Sequence, residues 1–110
     1  MSLALEELSE RIRALTPDLV LVEKKMFNGR AFMHRGNMLV CPIKDGTLLV
    51  RVGKDGMEAA LARPGAAPMV MNGRTMGGFV FVSGDAIEDD EQLSEWIERA
   101  RAFVGTLPAK

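Results

Sequence analysis

With 110 residues and a single cysteine, the chain is long enough for one domain, residues 1–110, whose hydrophobic core needs no disulfide. Apolar residues make up 47% of the sequence and charged residues 26%, a composition that excludes a disordered chain. No apolar run approaches the ~20 residues that a membrane-spanning helix needs. We therefore expect a cytoplasmic protein with no membrane partner. The net charge of −1 conceals a basic middle, because residues 1–23, 24–74 and 75–110 carry −3, +6 and −4.

The first predicted element is a helix near the N-terminus. Its apolar residues recur at steps of three and four: Leu5, Leu8, Ile12 and Leu15. Pro17 disfavours helical backbone at Thr16 and therefore ends the helix. Residues 19–27 alternate weakly in polarity, which indicates an extended segment leading into a sheet.

The centre of the predicted sheet is a hairpin over residues 37–52. Strand-favouring apolar residues flank a polar break, and we predict the turn at Lys44, Asp45 and Gly46, where Asp45-Gly46 is typical of a two-residue hairpin turn. Residues 30–34 predict the preceding strand, and glycine and asparagine on either side of it favour turns. The pattern therefore predicts an antiparallel meander of three or four strands.

The second half of the chain returns to mixed structure. Asp55 and Glu58 have the spacing of a capping box, which predicts a short helix. Residues 68–71 and 78–82 predict two further strands. The glycine-rich segment 73–78 between them matches neither common phosphate-binding motif and leads into a strand, so we interpret it as a strained structural turn.

The last predicted element is a helix with a broad apolar face. That face contains Leu93, Trp96, Ile97, Ala100, Phe103, Val104 and Leu107. Asp89 to Gln92 predict its N-cap, and Gly105 and Pro108 mark its end. The order α-βββ(β)-α-ββ-α predicts an α+β domain in two layers, an antiparallel sheet of about five strands with helices packed against it.

Residues suited to catalysis or metal binding are few. Cys41 lies inside an apolar strand, so a buried hydrophobe is favoured over a nucleophile. His34 has no second ligand or orienting carboxylate that can be named. The acids at 88–91 fit a helix start better than a calcium loop. We therefore predict no catalytic residue, no metal site and no cofactor.

Two kinds of binding surface stay open at this point. Four arginines would attract an anion or nucleic acid if they shared a sheet face: Arg30, Arg35, Arg51 and Arg74. The favoured alternative is that basic strands and acidic helices neutralise one another within the fold. Six methionines lie in or beside the predicted strands, where core packing is favoured over a dimer interface: Met26, Met33, Met38, Met69, Met71 and Met76.

Several spaced motifs carry a family resemblance across nearly the whole chain. They are MFNGRAF (26–32), GNML (36–39), LLVRVG (48–53), ALARPGAAPM (60–69), GRTMGGFVFV (73–82) and a closing W…A…FV…LP. This set resembles the TfoX N-terminal domain family. The residues we assign to the structural motif are Met26, Phe27, Gly29, Gly73, Gly78 and Trp96.

The resemblance implies a small α+β domain, similar to secretion-chaperone-like folds, that occurs in TfoX/Sxy regulators of natural competence and in stand-alone bacterial proteins. It implies no enzymatic activity. The family motif usually begins Met-Phe-Gly-Gly, and Asn28 stands here for the first glycine; asparagine tolerates left-handed backbone, so we expect the turn to be kept. Full-length TfoX proteins carry a second, helical domain; because this chain stops at Lys110, we expect none here, and competence and transcription regulation do not transfer directly.

The function we expect first is that of a non-catalytic regulatory or adaptor domain working through protein contacts. Its protein partner is unknown, and a homodimer is one form that such contacts could take. The alternative is anion or nucleic-acid binding through the four arginines.

Overall fold

The computed structural model describes residues 3–26 and 28–109, which form three helices and a six-stranded antiparallel sheet. The helices are α1 (Leu3–Leu15), α2 (Met57–Leu61) and α3 (Asp90–Val104), and the strands are β1 (Leu21–Met26), β2 (Gly29–His34), β3 (Asn37–Pro42), β4 (Leu48–Arg51), β5 (Ala66–Met71) and β6 (Arg74–Val82). The α+β class and the element order are confirmed. The sheet has six strands rather than about five, because residues 21–26 pair with β2 along their whole length.

The strand order is β1-β2-β3-β4-β6-β5, so the predicted central hairpin, β3 with β4, does lie at the middle of the sheet. The predicted turn at Lys44, Asp45 and Gly46 is confirmed. The Ile43 backbone N–H donates to the Thr47 carbonyl oxygen at 2.9 Å, so the loop has three residues rather than the two that Asp45-Gly46 alone would form. Asp45 Oδ1 accepts hydrogen bonds from the Thr47 backbone N–H at 3.0 Å and from its hydroxyl at 2.7 Å. These two hydrogen bonds to the Asp45 carboxylate stabilise the three-residue loop.

The other hairpins use short turns with left-handed backbone. Asn28 has φ +59°, which confirms that asparagine keeps the β1–β2 turn. Asn72 and Gly73, at φ +53° and +76°, join β5 to β6 as the two-residue turn that matches strand twist. The prediction that residues 73–78 form a strained loop is therefore wrong, because β6 already begins at Arg74.

Helix ends show which side chains compete successfully for backbone groups. The capping box predicted at Asp55 is wrong: Asp55 lies in a 3₁₀ turn, and Gly56 is the N-cap of α2, with no side-chain cap bond. At α3 the prediction is confirmed, because Asp89 Oδ1 accepts from the Gln92 backbone N–H at 2.8 Å. α1 ends at Leu15, two residues before Pro17, as expected.

The main core lies between the helices and one face of the sheet. Strand residues such as Phe32, Val40 and Val50 are fully buried there. The helices contribute Leu8, Ile12, Ala60, Leu93, Trp96, Ile97, Ala100 and Val104. The apolar residues that recur along α1 and α3 form one stripe on each helix, and this stripe packs on the sheet as the sequence predicted.

The opposite face of the sheet has its own apolar cluster, which we call the open face. Its buried members are Ala31, Met38, Cys41, Leu49 and Met69, and its half-buried members are Met26, Met33, Ile43, Phe79 and Phe81. Within residues 3–26 and 28–109, no helix residue belongs to this cluster. The strand side chains of the open face therefore cover one another, and the described part of the chain places no second layer over them.

The sheet has two edge strands, β1 and β5. β1 exposes Lys24 and Lys25 in its second half, and β5 contains Pro68, which has no backbone N–H to donate. No described helix is both long enough and apolar enough to cross a bilayer.

Candidate functional site

The open face is the first surface suited to binding. Strand alternation places Val22 beside Met33 on this face, and Val22 is 55% exposed. Phe79 and Phe81 lie on β6 at the other side of the buried floor formed by Cys41 and Leu49. Methionine and phenylalanine are side chains that protein interfaces favour, and their presence on a face without a covering layer suits a protein contact.

A cleft at the end of β4 is the second such surface, and we call it the Arg51 cleft. Its walls include Arg51, Lys54, Phe79 and Phe103, and its volume is about 460 Å³. The Arg51 Cζ atom lies 5.6 Å from the centroid of the Phe79 ring and 5.6 Å from that of the Phe103 ring. Both distances are within the range of cation–π attraction, so the two rings hold the guanidinium in place.

The floor of the Arg51 cleft depends on glycine. The backbone N–H groups of Val52 and Gly53 both donate to the Gly78 carbonyl oxygen, at 2.8 and 3.0 Å. Gly53 and Gly78 have φ +79° and +91°, which few other residues adopt. A Cβ atom at Gly53 would also overlap the ring of Phe103. These two glycines therefore let the end of β4 lie close to both α3 and β6.

Arg51 differs from the other arginines of similar burial. In the described part of the chain, the half-buried arginines other than Arg51 each form an ion pair with a carboxylate: Arg11, Arg30, Arg99 and Arg101. The Arg51 side chain makes neither an ion pair nor a hydrogen bond to any described residue. Its N–H donors therefore have no protein acceptor there.

The four arginines predicted as a basic patch do not lie together. Arg30 is on the helix side of the sheet, where its Nη2 donates to Glu6 Oε1 at 2.8 Å. Arg35 and Arg74 are exposed at the β2–β3 and β5–β6 turns, while Arg51 lies in its cleft. Strand register places Arg35, Arg51 and Arg74 at the same end of the sheet and separates Arg30 from them.

Arg30 belongs to a network that joins the first helix to the sheet. Arg13 donates to both carboxylate oxygens of Glu23 at 2.7 Å, and Arg30 Nε lies 3.7 Å from Glu23 Oε1. The hydrogen bonds from Arg13 hold the pKa of Glu23 below its usual range, against a smaller opposing effect of burial. Of these pairs, only the Arg30–Glu6 pair joins a basic strand residue to an acidic helix residue, because in the Arg13–Glu23 pair the base lies on the helix and the acid on the strand.

The residues weighed for chemistry have structural surroundings. Cys41 is fully buried, and burial raises the pKa of its thiol to about 11, so it carries no reactive thiolate near neutral pH. His34 is half-buried, and its Nδ1 has no hydrogen-bond partner among the described residues. Asp89 caps α3, and Asp90 pairs with Arg11 at 3.0 Å. The residues 3–26 and 28–109 contain no group of three metal-ligating side chains.

The residues of the structural motif have separate positions in the fold. Met26 is half-buried at the end of β1, and Trp96 is in the main core at 3% exposure. Gly29 begins β2, where a Cβ atom would overlap the Pro42 carbonyl oxygen. Gly73 is in the β5–β6 turn and Gly78 in the Arg51 cleft, whereas Phe27 lies outside the described residues.

The Arg51 cleft was not predicted as a site. The sequence predicted Phe79 only as a strand residue and Phe103 only as part of an apolar helix face. It predicted no role for Lys54. They come from three segments far apart in sequence, and only tertiary packing joins them. The one local signal was Gly53 directly after a strand, since glycine there indicates close approach of another group.

Comparison with protein-family models matches the chain to the TfoX N-terminal domain over residues 19–104. The chain belongs to the TfoX N-terminal domain family. The match covers β1 to α3 and therefore includes both the open face and the Arg51 cleft. This is a non-catalytic domain family. Searches of curated proteins and of solved structures give no significant match.

Proposed function

We propose that this TfoX N-terminal domain is a non-catalytic regulatory or adaptor domain that works through protein contacts made by its open face. The observation that carries the proposal is that the open face has an apolar cluster to which no described helix contributes. A sheet face of this kind is normally packed against a second layer, and a partner protein can supply that layer.

The partner that we propose first is a second copy of the chain. A two-fold dimer brings the same surface of both copies together, so half-buried apolar side chains of one open face would pack against those of the other. Met33 on β2 and Phe81 on β6 lie on either side of the central strands and would lose their remaining contact with water. Removal of apolar surface from water is the main driving force of such association.

Sedimentation velocity over a range of protein concentrations tests the dimer. We expect a dimer that dissociates on dilution, and we expect Met33→Gln to weaken association at least tenfold because a polar amide would enter the apolar contact. The matched control is Leu61→Gln, since Leu61 is an exposed apolar residue on α2, away from the open face. A protein that stays monomeric at all concentrations, or equal weakening by both variants, would overturn the dimer.

A second candidate function is anion or nucleic-acid binding at the end of the sheet that carries Arg35, Arg51 and Arg74. What favours it is that none of these three has a carboxylate partner among the described residues. Arg30 is removed from this candidate because its charge is neutralised by Glu6 and Glu23.

Fluorescence anisotropy with labelled duplex DNA at low and physiological salt tests this candidate. Binding should weaken steeply as salt rises, and a double variant Arg35→Gln/Arg74→Gln should weaken it, because each phosphate contact releases a counterion. The matched control is Arg63→Gln, since Arg63 pairs with Glu95 at 2.9 Å. The absence of binding at low salt would exclude nucleic acid as the partner.

A further inference from the structure

We propose that the Arg51 cleft binds a small organic anion, with its carboxylate or phosphate group on Arg51 and Lys54 and its apolar body against Phe79 and Phe103. The volume of the cleft, about 460 Å³, is within the range of roughly 300–1,000 Å³ that is common for small-molecule sites. The cleft shares Phe79 with the open face, whereas Arg51, Lys54 and Phe103 lie outside the open-face cluster. Its test uses small probes and needs no partner protein.

The charge of the cleft favours an anion. Arg51 and Lys54 contribute two cations, and Asp55 is the one acid that lines the cleft. Neither cation forms an ion pair with a described residue. A guanidinium group offers N–H donors in a flat fork that matches the oxygens of a carboxylate or phosphate.

The position of Arg51 is fixed before any ligand binds. Its contacts with the Phe79 and Phe103 rings restrict the side chain while they use none of its N–H donors. Gly53 keeps Phe103 close, because any Cβ atom there would push the ring away. Binding to a cation already held in place costs less ordering entropy than binding to a flexible surface arginine.

The remaining walls suit an apolar body joined to the anionic group. Phe79 and Phe103 are both half-buried, so each keeps part of its surface open to the cleft. Gly77 has no side chain, and a Cβ atom there would lie 3.4 Å from Lys54 Cε, so a larger residue would narrow the opening. An inorganic anion alone would leave the exposed parts of the two rings in contact with water, whereas an aromatic or aliphatic body would cover them.

The test is a titration of the purified protein, followed by amide NMR, with three probes: phenyl phosphate, benzoate and neutral benzamide. Phenyl phosphate and benzoate distinguish a phosphate site from a carboxylate site, and benzamide measures what the apolar body contributes without charge. We expect saturable binding of at least one anion, with the largest shifts at residues 51–55, 77–79 and 103. Benzamide should bind at least tenfold more weakly than that anion.

Two variants with the same change of charge locate the site. Arg51→Gln should weaken binding of the anion at least tenfold, whereas Arg63→Gln, at an exposed position that pairs with Glu95 and does not line the cleft, should change affinity less than twofold. Equal weakening by both variants would mean general electrostatic attraction and would overturn the proposal. The proposal would also be overturned if the amide shifts in the wild-type protein lay elsewhere, or if no probe bound saturably. Both of these results come from the wild-type protein and do not depend on how Arg51→Gln folds.

Discussion

Two glycines allow a strand to lie close to another part of the fold where a side chain would not fit. At Gly29, the start of β2 passes over the end of β3 and forms a bridge to Ile43. At Gly53, the end of β4 lies against the ring of Phe103. Gly73 is different, because its left-handed φ of +76° is in open space with no atom near its absent Cβ. Glycine is therefore required for two distinct physical reasons in this domain: a close contact at Gly29 and Gly53, and left-handed backbone alone at Gly73.

Gly29→Ala should cost roughly 3 kcal/mol or more of unfolding free energy, because the new Cβ would overlap a backbone oxygen that no rotamer change can move. Gly73→Ala is the matched control and should cost only about 1 to 2 kcal/mol, the strain of left-handed alanine. Urea unfolding of both variants measures the difference. A loss at Gly29 no larger than that at Gly73 would contradict the close contact with Pro42.

Cys41 gives a prediction about pH at the same scale. Its pKa rises from 9.0 in the reference state to about 11 in the fold, so above pH 9 the unfolded chain releases a proton that the folded chain keeps. Stability from the neutral thiol is complete below pH 9 and is lost as pH rises towards 11. Between pH 9 and 10 the wild type should lose about 1 kcal/mol more than Cys41→Ala in urea unfolding. Parallel pH profiles would contradict the buried thiol.

At the scale of the elements, α3 joins several parts of the fold. It packs on β3 and β4, and its Arg101 pairs with Asp18 at 2.6 Å beyond the end of α1. Trp96 is buried beneath it, with the Arg99 guanidinium 5.5 Å from the ring centroid. Correct placement of this helix therefore also fixes Phe103, which forms one wall of the Arg51 cleft.

Removal of the α3 cap should destabilise the whole domain. Asp89→Ala should lower the unfolding free energy by about 1 kcal/mol, because the Gln92 backbone N–H would lose its acceptor. Glu91→Ala, in the first turn but without a cap bond, should cost less than about 0.5 kcal/mol, the scale of a helix-dipole interaction. Chemical unfolding compares the two. Equal effects would show that charge, rather than the hydrogen bond, accounts for the cap.

At the scale of the whole molecule, the domain is one sheet with a buried cluster on each face. β3 and β4 contribute to both, since Val40 and Val50 face the helices while Cys41 and Leu49 belong to the open face. Loss of packing in one cluster would disturb β3 and β4, and these strands also carry side chains of the other cluster. The two faces should therefore unfold together.

This cooperativity can be measured with one probe on each face. Trp96 is the only tryptophan and reports on the helix side, while Cys41 is the only cysteine and reports on the open face. We expect tryptophan fluorescence and thiol labelling at pH 8 to give the same urea midpoint, as a two-state transition requires. Labelling of Cys41 at a clearly lower urea concentration would mean that the open face opens on its own.

Sequence patterns predicted the parts of this fold that depend on local periodicity. α1, α3, the central strands and the Asp89 cap follow from spacing within a few residues. β1 was underestimated because Glu23, Lys24 and Lys25 hide its alternation. The turn at residues 44–46 was predicted in the right place, but it has three residues rather than two. The Arg51 cleft could not be predicted, since Arg51, Phe79 and Phe103 meet only through strand pairing and helix docking.

The two edge strands also affect whether copies of this domain can associate edge to edge through their sheets. An unpaired strand edge is a template on which further strands add, and repeated addition leads to fibrils. Here an incoming strand would meet the missing N–H of Pro68 at one edge and the charges of Lys24 and Lys25 at the other. Growth along the sheet is disfavoured at both edges, so concentrated protein should remain free of amyloid even where its faces associate.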